Sequence, residues 1–273
     1  MSIITITRGT KSGGLELAER LSKKLGYRTL SREEVITESA KKFNIMEDIL
    51  LEKLEKTPNL WQKFTNEYER YIIFIQCSLL EAIEQDNLIY HGYSGQFLLK
   101  RLSHVLKLRI EAPIDYRAQS VMEEFNFNID QAIEYIKKMD DQRKRWVKMV
   151  YRWNWYDPAL YDLWVNLKNI SMDNICEIVS TAVAHKDFKT SEESSRKLKN
   201  LSLECNVKAA LASDNKIWES LEIAVHANNG AVTLKGRTKN KELKDLIVDT
   251  ALSVKGVIEC KPDITLLSDS LSK

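Results

Sequence analysis

The fold is decided by Ile3-Ile4-Thr5-Ile6-Thr7, which runs directly into Arg8-Gly9-Thr10-Lys11-Ser12-Gly13-Gly14. The first part is β-branched and predicts a buried strand, and the second predicts a tight glycine-rich turn. Apolar residues then recur at helical spacing from Leu17 to Leu25, and Gly26 ends the pattern. The free backbone N–H groups and the dipole of a helix that begins in such a turn favour an anion. The sequence therefore predicts a phosphate-binding loop.

This loop lacks two groups that a nucleotide-binding phosphate loop normally carries. That motif has Gly, four residues, Gly, Lys and then Ser or Thr. Counted from Gly9, the last two places hold Leu15 and Glu16, and a register that begins at Arg8 does no better. The lysine and the magnesium-binding hydroxyl are therefore absent. Two interpretations of the nearby cations stay open: Lys11 or Arg8 replaces the lysine, or both are solvated.

Composition limits the class of protein. The 273 residues are 44% apolar and 29% charged, with a formal net charge of +2. This is enough apolar content for a core and too little net charge to predict attraction to nucleic acid or membrane. The four cysteines lack CxxC spacing, so we expect reduced thiols. The most apolar helix pattern, residues 71–83, is too short to span a membrane, and we expect a cytoplasmic protein without a secretory signal.

Residues 1–184 alternate strand and helix patterns, with strands predicted over 3–7, 88–91, 105–110 and 161–166. Capping boxes mark two of the helix starts, Ser31 with Glu34 and Asn128 with Gln131. This order predicts an α/β fold with a parallel sheet flanked by helices. Ligands of such sheets bind beyond the C-terminal ends of the strands, which points to the segments that follow them.

A second unit is predicted after residue 200. Residues 185–200 are almost free of apolar residues, which predicts a linker. Beyond it the pattern predicts a helix over 203–212, strands over 221–227 and 231–235, a helix over 241–254 and a strand over 257–266. Asn229-Gly230 between two apolar runs is a strong hairpin signal. We therefore expect three segments: a domain over 1–184, a linker over 185–200, and a small αββαβ (α+β) domain over 201–268.

Several separated motifs occur in a characteristic order. They are Ile4-Thr5-Ile6-Thr7-Arg8, Ser12-Gly13-Gly14, Tyr90-His91-Gly92, Leu108-Arg109-Ile110, Ala112-Pro113 with Arg117, Asp140 with Arg143, and Asp157-Pro158-Ala159-Leu160-Tyr161-Asp162. On these motifs, residues 1–184 resemble the cytidylate kinase-like proteins, a nucleoside monophosphate kinase branch of the P-loop fold. The C-terminal unit, with Asn229-Gly230, Leu234-Lys235-Gly236 and Gly256-Val257, resembles a BON domain.

The first resemblance implies phosphoryl transfer from ATP, with Mg²⁺, to a pyrimidine monophosphate, a reaction that depends on positioning and charge neutralisation. It implies that four arginines clamp phosphate groups and that Asp140 orients a lid. The candidate site is Lys11, Asp140, Arg143 and Arg145 for catalysis; Arg8, Gly9, Thr10, Lys11, Ser12, Gly13 and Gly14 for the cofactor; and Gly92, Gly95, Arg109 and Arg117 for the substrate. No metal ligand is predicted.

The sequence departs from the kinase pattern at further positions. His91 stands where these kinases have an Asp, and Tyr93 stands where they have an Arg. One lost charge-stabilising group costs roughly a factor of 10²–10³ in rate, so we expect weak or absent transfer. The main hypothesis is a nucleotide-binding, cytidylate kinase-like protein. The alternative is a catalytically inactive pseudokinase that acts as a regulator or scaffold through its BON-like domain.

The remaining alternatives concern partners. The BON resemblance implies a phospholipid or protein partner, and an apolar helix predicted over residues 59–84 forms either core or a contact between copies of the chain. Basic and aromatic residues interleave over 143–156, a pattern that stacks nucleic-acid bases in some proteins. Because Trp146, Val150 and Trp153 recur at helical spacing, we favour a core face and expect no nucleic-acid partner.

Overall fold

The computed structural model describes residues 2–55, 67–85, 87–92, 94–219 and 222–267. Among these, residues 3–184 hold five strands and eight α-helices. They are β1 (Ile3–Arg8), α1 (Gly14–Leu25), β2 (Arg28–Ser31), α2 (Arg32–Phe43), α3 (Glu47–Glu55), α4 (Glu67–Ile83), β3 (Leu88–Gly92), α5 (Gly95–Leu98), β4 (Val105–Glu111), α6 (Ile114–Phe125), α7 (Ile129–Tyr151), β5 (Leu163–Asn166) and α8 (Met172–Ala184).

The five strands form one parallel sheet in the order β2-β3-β1-β4-β5. The central strand β1 is buried along residues 3–7, as expected for a parallel strand with helices on both faces. One face packs against α1 and α8, and the other against α2, α4 and further helices. The predicted α/β class is confirmed, and the C-terminal ends of β1, β3 and β4 bring Arg8, Gly92 and Glu111 to one edge.

Local signals fix several helix ends. The predicted capping boxes at Ser31 and Asn128 are both present. Helix α1 ends where Gly26 takes a left-handed conformation (φ 70°), which a glycine adopts without strain. Strand β2 was not predicted, because only one of its four residues is buried and no alternation marks it. Residues 59–66 of the predicted helix over 59–84 lie outside the described part of the chain.

The C-terminal unit has the predicted αββαβ order with one extra short helix. Its elements are α9 (Glu192–Ser213), α10 (Asn215–Trp218), β6 (Glu222–Asn228), β7 (Ala231–Thr238), α11 (Lys241–Leu252) and β8 (Glu259–Leu266). Strands β6 and β7 are antiparallel, and β7 and β8 are parallel. Val225, Val232 and Ile247 lie in a core of their own between this sheet and the helices.

The prediction of a linker over residues 185–200 is wrong for its second half. Helix α9 begins at Glu192, with Ser191 and Ser194 forming a capping box. The helix contributes to both cores: Leu198 and Cys205 pack with α4, whereas Val207 packs with the small sheet. The first turns of α9, residues 192–200, are mostly exposed and polar, so their composition resembles that of a linker.

Two further expectations concerned reduced cysteines and the lack of a membrane-spanning helix. All four cysteines are free, and Cys77, Cys176 and Cys205 are buried. Among the helices of the described residues, none combines the length and the apolar character needed to cross a membrane.

Candidate functional site

The loop between β1 and α1 has the shape expected of an anion site. Gly13 precedes the helix with φ 81°, and none of the described side chains caps that helix end. The first intrahelical bond runs from the Leu17 N–H to the Gly13 carbonyl at 2.9 Å. The N–H groups of Gly14, Leu15 and Glu16 therefore have no partner within the helix, and they supply donors for an anion.

A carboxylate from α7 fastens this loop. Asp140 Oδ1 accepts hydrogen bonds from the Thr10 backbone N–H and from the Thr10 hydroxyl, both at 2.8 Å. Arg117 forms an ion pair with Asp140, and its Nε donates to the Thr10 carbonyl at 2.6 Å. Arg143 donates from Nη1 to the Thr10 hydroxyl at 2.9 Å and lies 3.7 Å from Asp140. The structure thus brings together four of the residues in the predicted site, Thr10, Arg117, Asp140 and Arg143.

Two groups beside the loop lack partners among the residues that the structure describes. Arg8 is partly exposed, its Nε is buried, and no hydrogen bond or ion pair reaches its guanidinium from the described residues. Burial and the neighbouring Arg143 guanidinium lower the pKa of Arg8, and Glu33 opposes this only in part. His91 is 6% exposed, and within the described ranges its Nδ1 has no partner. Burial and the charge of Arg8 lower the pKa of His91, so the imidazole is neutral near pH 7.

A glycine turn between a parallel strand and a helix is thus in place, and comparison with known proteins identifies the family. The model of the cytidylate kinase-like family matches residues 3–169. The chain belongs to this family. A BON domain model matches residues 201–266.

Curated relatives of this cytidylate kinase-like protein cover its first two thirds. The cytidylate kinase of Thermococcus kodakarensis is 24% identical over 183 residues, which is 67% of this chain and 88% of that protein. The cytidylate kinase of Sulfolobus acidocaldarius is 27% identical over 186 residues, 68% of this chain and 96% of that protein. A crystal structure of an uncharacterized protein from Eubacterium ventriosum covers 68% of this chain and 100% of its own, with a TM-score of 0.52 at 17% identity. That likeness supports the fold alone.

Arg109 takes no part in the loop contacts described above. Its side chain is completely buried, with the guanidinium carbon 4.5 Å from the ring centres of Trp155 and Tyr156 and 5.0 Å from that of Trp164. Its Nε donates to Glu111 at 2.7 Å. The resemblance implied a phosphate clamp, but in this structure Arg109 is enclosed by protein. Sequence reasoning missed this contact, since the rings all lie within residues 155–164 and Trp155 is 46 positions from Arg109.

Lys11 and Arg145 do not join the cluster. The Lys11 amine forms an ion pair with Glu124 of α6, a residue that no sequence pattern pointed to. Arg145 is exposed on α7. Because residues two positions apart on a helix are separated by about 200°, Arg143 and Arg145 cannot both face the loop.

The predicted glycines serve close packing. A Cβ on Gly14 would lie 2.4 Å from Arg8 Cδ, and one on Gly9 would lie 3.2 Å from an Arg117 nitrogen. A Cβ on Gly92 would lie 2.7 Å from the Tyr90 hydroxyl, and one on Gly95 would lie 2.8 Å from Tyr90 Cδ1. Gly9 and Gly14 therefore shape the loop, whereas Gly92 and Gly95 make room for a buried tyrosine.

The residues present fit a phosphate group better than they fit Mg²⁺. Mg²⁺ in kinase sites is held by one or two protein oxygens together with substrate phosphates. The two loop hydroxyls are engaged elsewhere, that of Ser12 with the Gly9 and Ile110 carbonyls and that of Thr10 with Asp140. Residue 91 is a buried histidine. The loop therefore offers backbone N–H donors for phosphate, and both of its hydroxyls already donate to protein oxygens.

Proposed function

We propose that this protein binds a nucleotide through its phosphates at the loop of residues 8–14. The observation that carries the proposal is the start of α1, where three backbone N–H groups and the Arg8 cation lie together. Donors and positive charge in this arrangement suit phosphate oxygens. Membership of the cytidylate kinase-like family supports a nucleotide as the ligand class, with ATP and a pyrimidine monophosphate as first candidates. The N–H groups of Gly14, Leu15 and Glu16 would hold its phosphates, and Arg8 and Arg143 would balance their charge.

Phosphoryl transfer from ATP to that monophosphate is proposed as weak or absent. The loop has neither the lysine nor the hydroxyl, Lys11 is paired with Glu124, and Arg109 is enclosed. The pseudokinase alternative draws support from α9. Glu204 of that helix pairs with Arg101 of the kinase-like part and accepts the Ala227 N–H of the small sheet at 3.2 Å. One buried carboxylate thereby links the two parts, and a phospholipid or protein partner of the BON unit stays a prediction.

Thermal unfolding with ligands tests the proposal. ATP, GTP, CMP, dCMP and UMP are compared in Mg²⁺ and in EDTA, with adenosine and cytidine as phosphate-free controls. A ligand at about a hundred times its Kd stabilises by about 2.7 kcal/mol, a rise on the order of 5–10 °C. We expect this rise with a nucleotide and not with a nucleoside, and we expect it to persist in EDTA. No rise with any nucleotide would refute the proposal.

A turnover assay separates the two interpretations of the family fold. ADP release from ATP is followed with and without CMP, using protein that binds nucleotide in the unfolding test. We expect little or no CMP-dependent release. Rapid ADP release that depends on both CMP and Mg²⁺ would show an active kinase and would contradict the pseudokinase alternative.

A further inference from the structure

Arg8 stands out because its cation is not neutralised within the described residues. Its strongest charged neighbours are Arg143, Glu33 and Arg32. Two of these three are positive, and the carboxylate of Glu33 already contacts Arg32 at 3.3 Å. The side chain packs over the Gly14 backbone, where the helix dipole adds further positive charge. Three sources of positive potential therefore meet at the start of α1.

A second buried polar group without a described partner, His91, lies near Arg8. His91 pairs with Ile6 in the sheet, so its side chain lies on the face that packs against α1. Arg8 is two residues after Ile6 in β1, so its side chain lies on the same face. This histidine is more than nine-tenths buried, and among the described residues its Nδ1 is unpartnered. Buried polar atoms in native proteins nearly always have a partner. An oxyanion between Arg8 and the helix start would accept from the guanidinium and from the Nδ1–H tautomer of the imidazole.

We propose that Arg8, rather than Lys11, is the cation that neutralises the bound phosphate, with the phosphoryl group lying between Arg8, Arg143 and the N-terminus of α1. This inference rests on the proposed function and names the residue that replaces the missing loop lysine. Arg8 stays charged under all ordinary conditions and offers a planar pair of donors to phosphate oxygens. Lys11 is already paired with Glu124.

Matched variants test this assignment. Arg8→Met, Arg8→Lys and Lys11→Met are compared with Lys23→Met, which removes one exposed charge from the same helix α1. Binding of inorganic tripolyphosphate and of ATP is measured by calorimetry in phosphate-free buffer. We expect Arg8→Met to weaken both by about tenfold to a hundredfold, the range for a lost hydrogen bond to a charged group. Arg8→Lys should retain part of the affinity, and Lys23→Met should match the parent.

The thermal midpoint of the ligand-free protein distinguishes a phosphate-binding role of Arg8 from a structural role, because the two roles predict opposite changes. Removing an unneutralised cation relieves repulsion, so Arg8→Met should raise the midpoint by about 2–4 °C while it weakens binding. A lower midpoint would show that Arg8 stabilises the fold and would overturn the inference. Equal tripolyphosphate binding by Arg8→Met and the parent, or a larger loss in Lys11→Met, would also overturn it and leave the proposed function standing. If the parent binds neither tripolyphosphate nor ATP, the proposed function fails and this inference fails with it.

Discussion

Replacement of Asp140 by Asn should destabilise the protein strongly although it changes only one atom. The carboxylate is 12% exposed, and it pairs with Arg117, whose side chain is 9% exposed. Removing one partner of a buried pair leaves the other charge uncompensated and costs about 3–5 kcal/mol. The Asn oxygen can still accept the two bonds from Thr10, so the loss arises mainly from Arg117. At about 2–4 °C per kcal/mol, the thermal midpoint should fall on the order of 6–20 °C.

The neighbouring residue supplies the control for this prediction. Asp141 follows directly on α7, is exposed, and forms no ion pair within the described ranges, so Asp141→Asn makes the same chemical change without the partner. Both variants are unfolded by heat with circular dichroism as the signal. A double variant, Asp140→Asn with Arg117→Met, should recover part of the loss, because it removes the stranded cation. If Asp140→Asn lowers the thermal midpoint no further than Asp141→Asn does, this cluster does not fasten α7 to the loop.

Three further predictions concern other parts of the molecule. Glu204→Gln should lower the free energy of unfolding by about 1–3 kcal/mol and speed amide exchange at Ala227. Glu193→Gln, which breaks only an exposed pair with Lys197 on the same helix, should cost roughly 0.5 kcal/mol or less and leave that exchange unchanged. Arg109→Lys should lower the thermal midpoint, because an ammonium group cannot stack among the rings and keep two donors on Glu111; an unchanged midpoint would show that this contact is not stabilising. The lowered pKa of His91 means that the unfolded chain takes up a proton below about pH 6.5 when the folded chain does not. Stability should therefore fall as the pH drops from about 7 to 5, and His91→Gln should flatten that decline; an identical decline in the variant would contradict this reasoning.

The sequence predicted those features that depend on neighbours along the chain. The strand of residues 3–7, the glycine turn after it and the capping boxes at Ser31 and Asn128 each arise from a few adjacent residues, and all are present. The site differs, because its contacts join distant residues. Thr10 and Asp140 are separated by 130 positions, and only their meeting shows that a carboxylate binds the loop.

Arg109 and helix α9 show two physical reasons for the errors. The arginine has the residue type of a phosphate clamp, but its surroundings determine its role, and four aromatic rings together with Glu111 enclose it. Helix α9 has polar first turns that look like a linker, but Leu198 and Cys205 on one face and Val207 on the other are buried. In both cases the structure depends on burial against elements that are distant in sequence, which local composition cannot predict.

Two features of this family member are the charge balance at its loop and the contact that α9 makes between its two parts. Asp140 provides a negative charge at the loop N–H of Thr10, so an incoming phosphate meets a site whose cations, Arg117 and Arg143, are already partly neutralised. Arg8 is the cation beside the loop that no described carboxylate pairs. Away from the loop contacts, Glu204 connects Arg101, three residues after α5, to the small sheet. One buried carboxylate therefore holds the segment after α5 against the small sheet, and exchange of the Ala227 amide in Glu204→Gln measures how firmly.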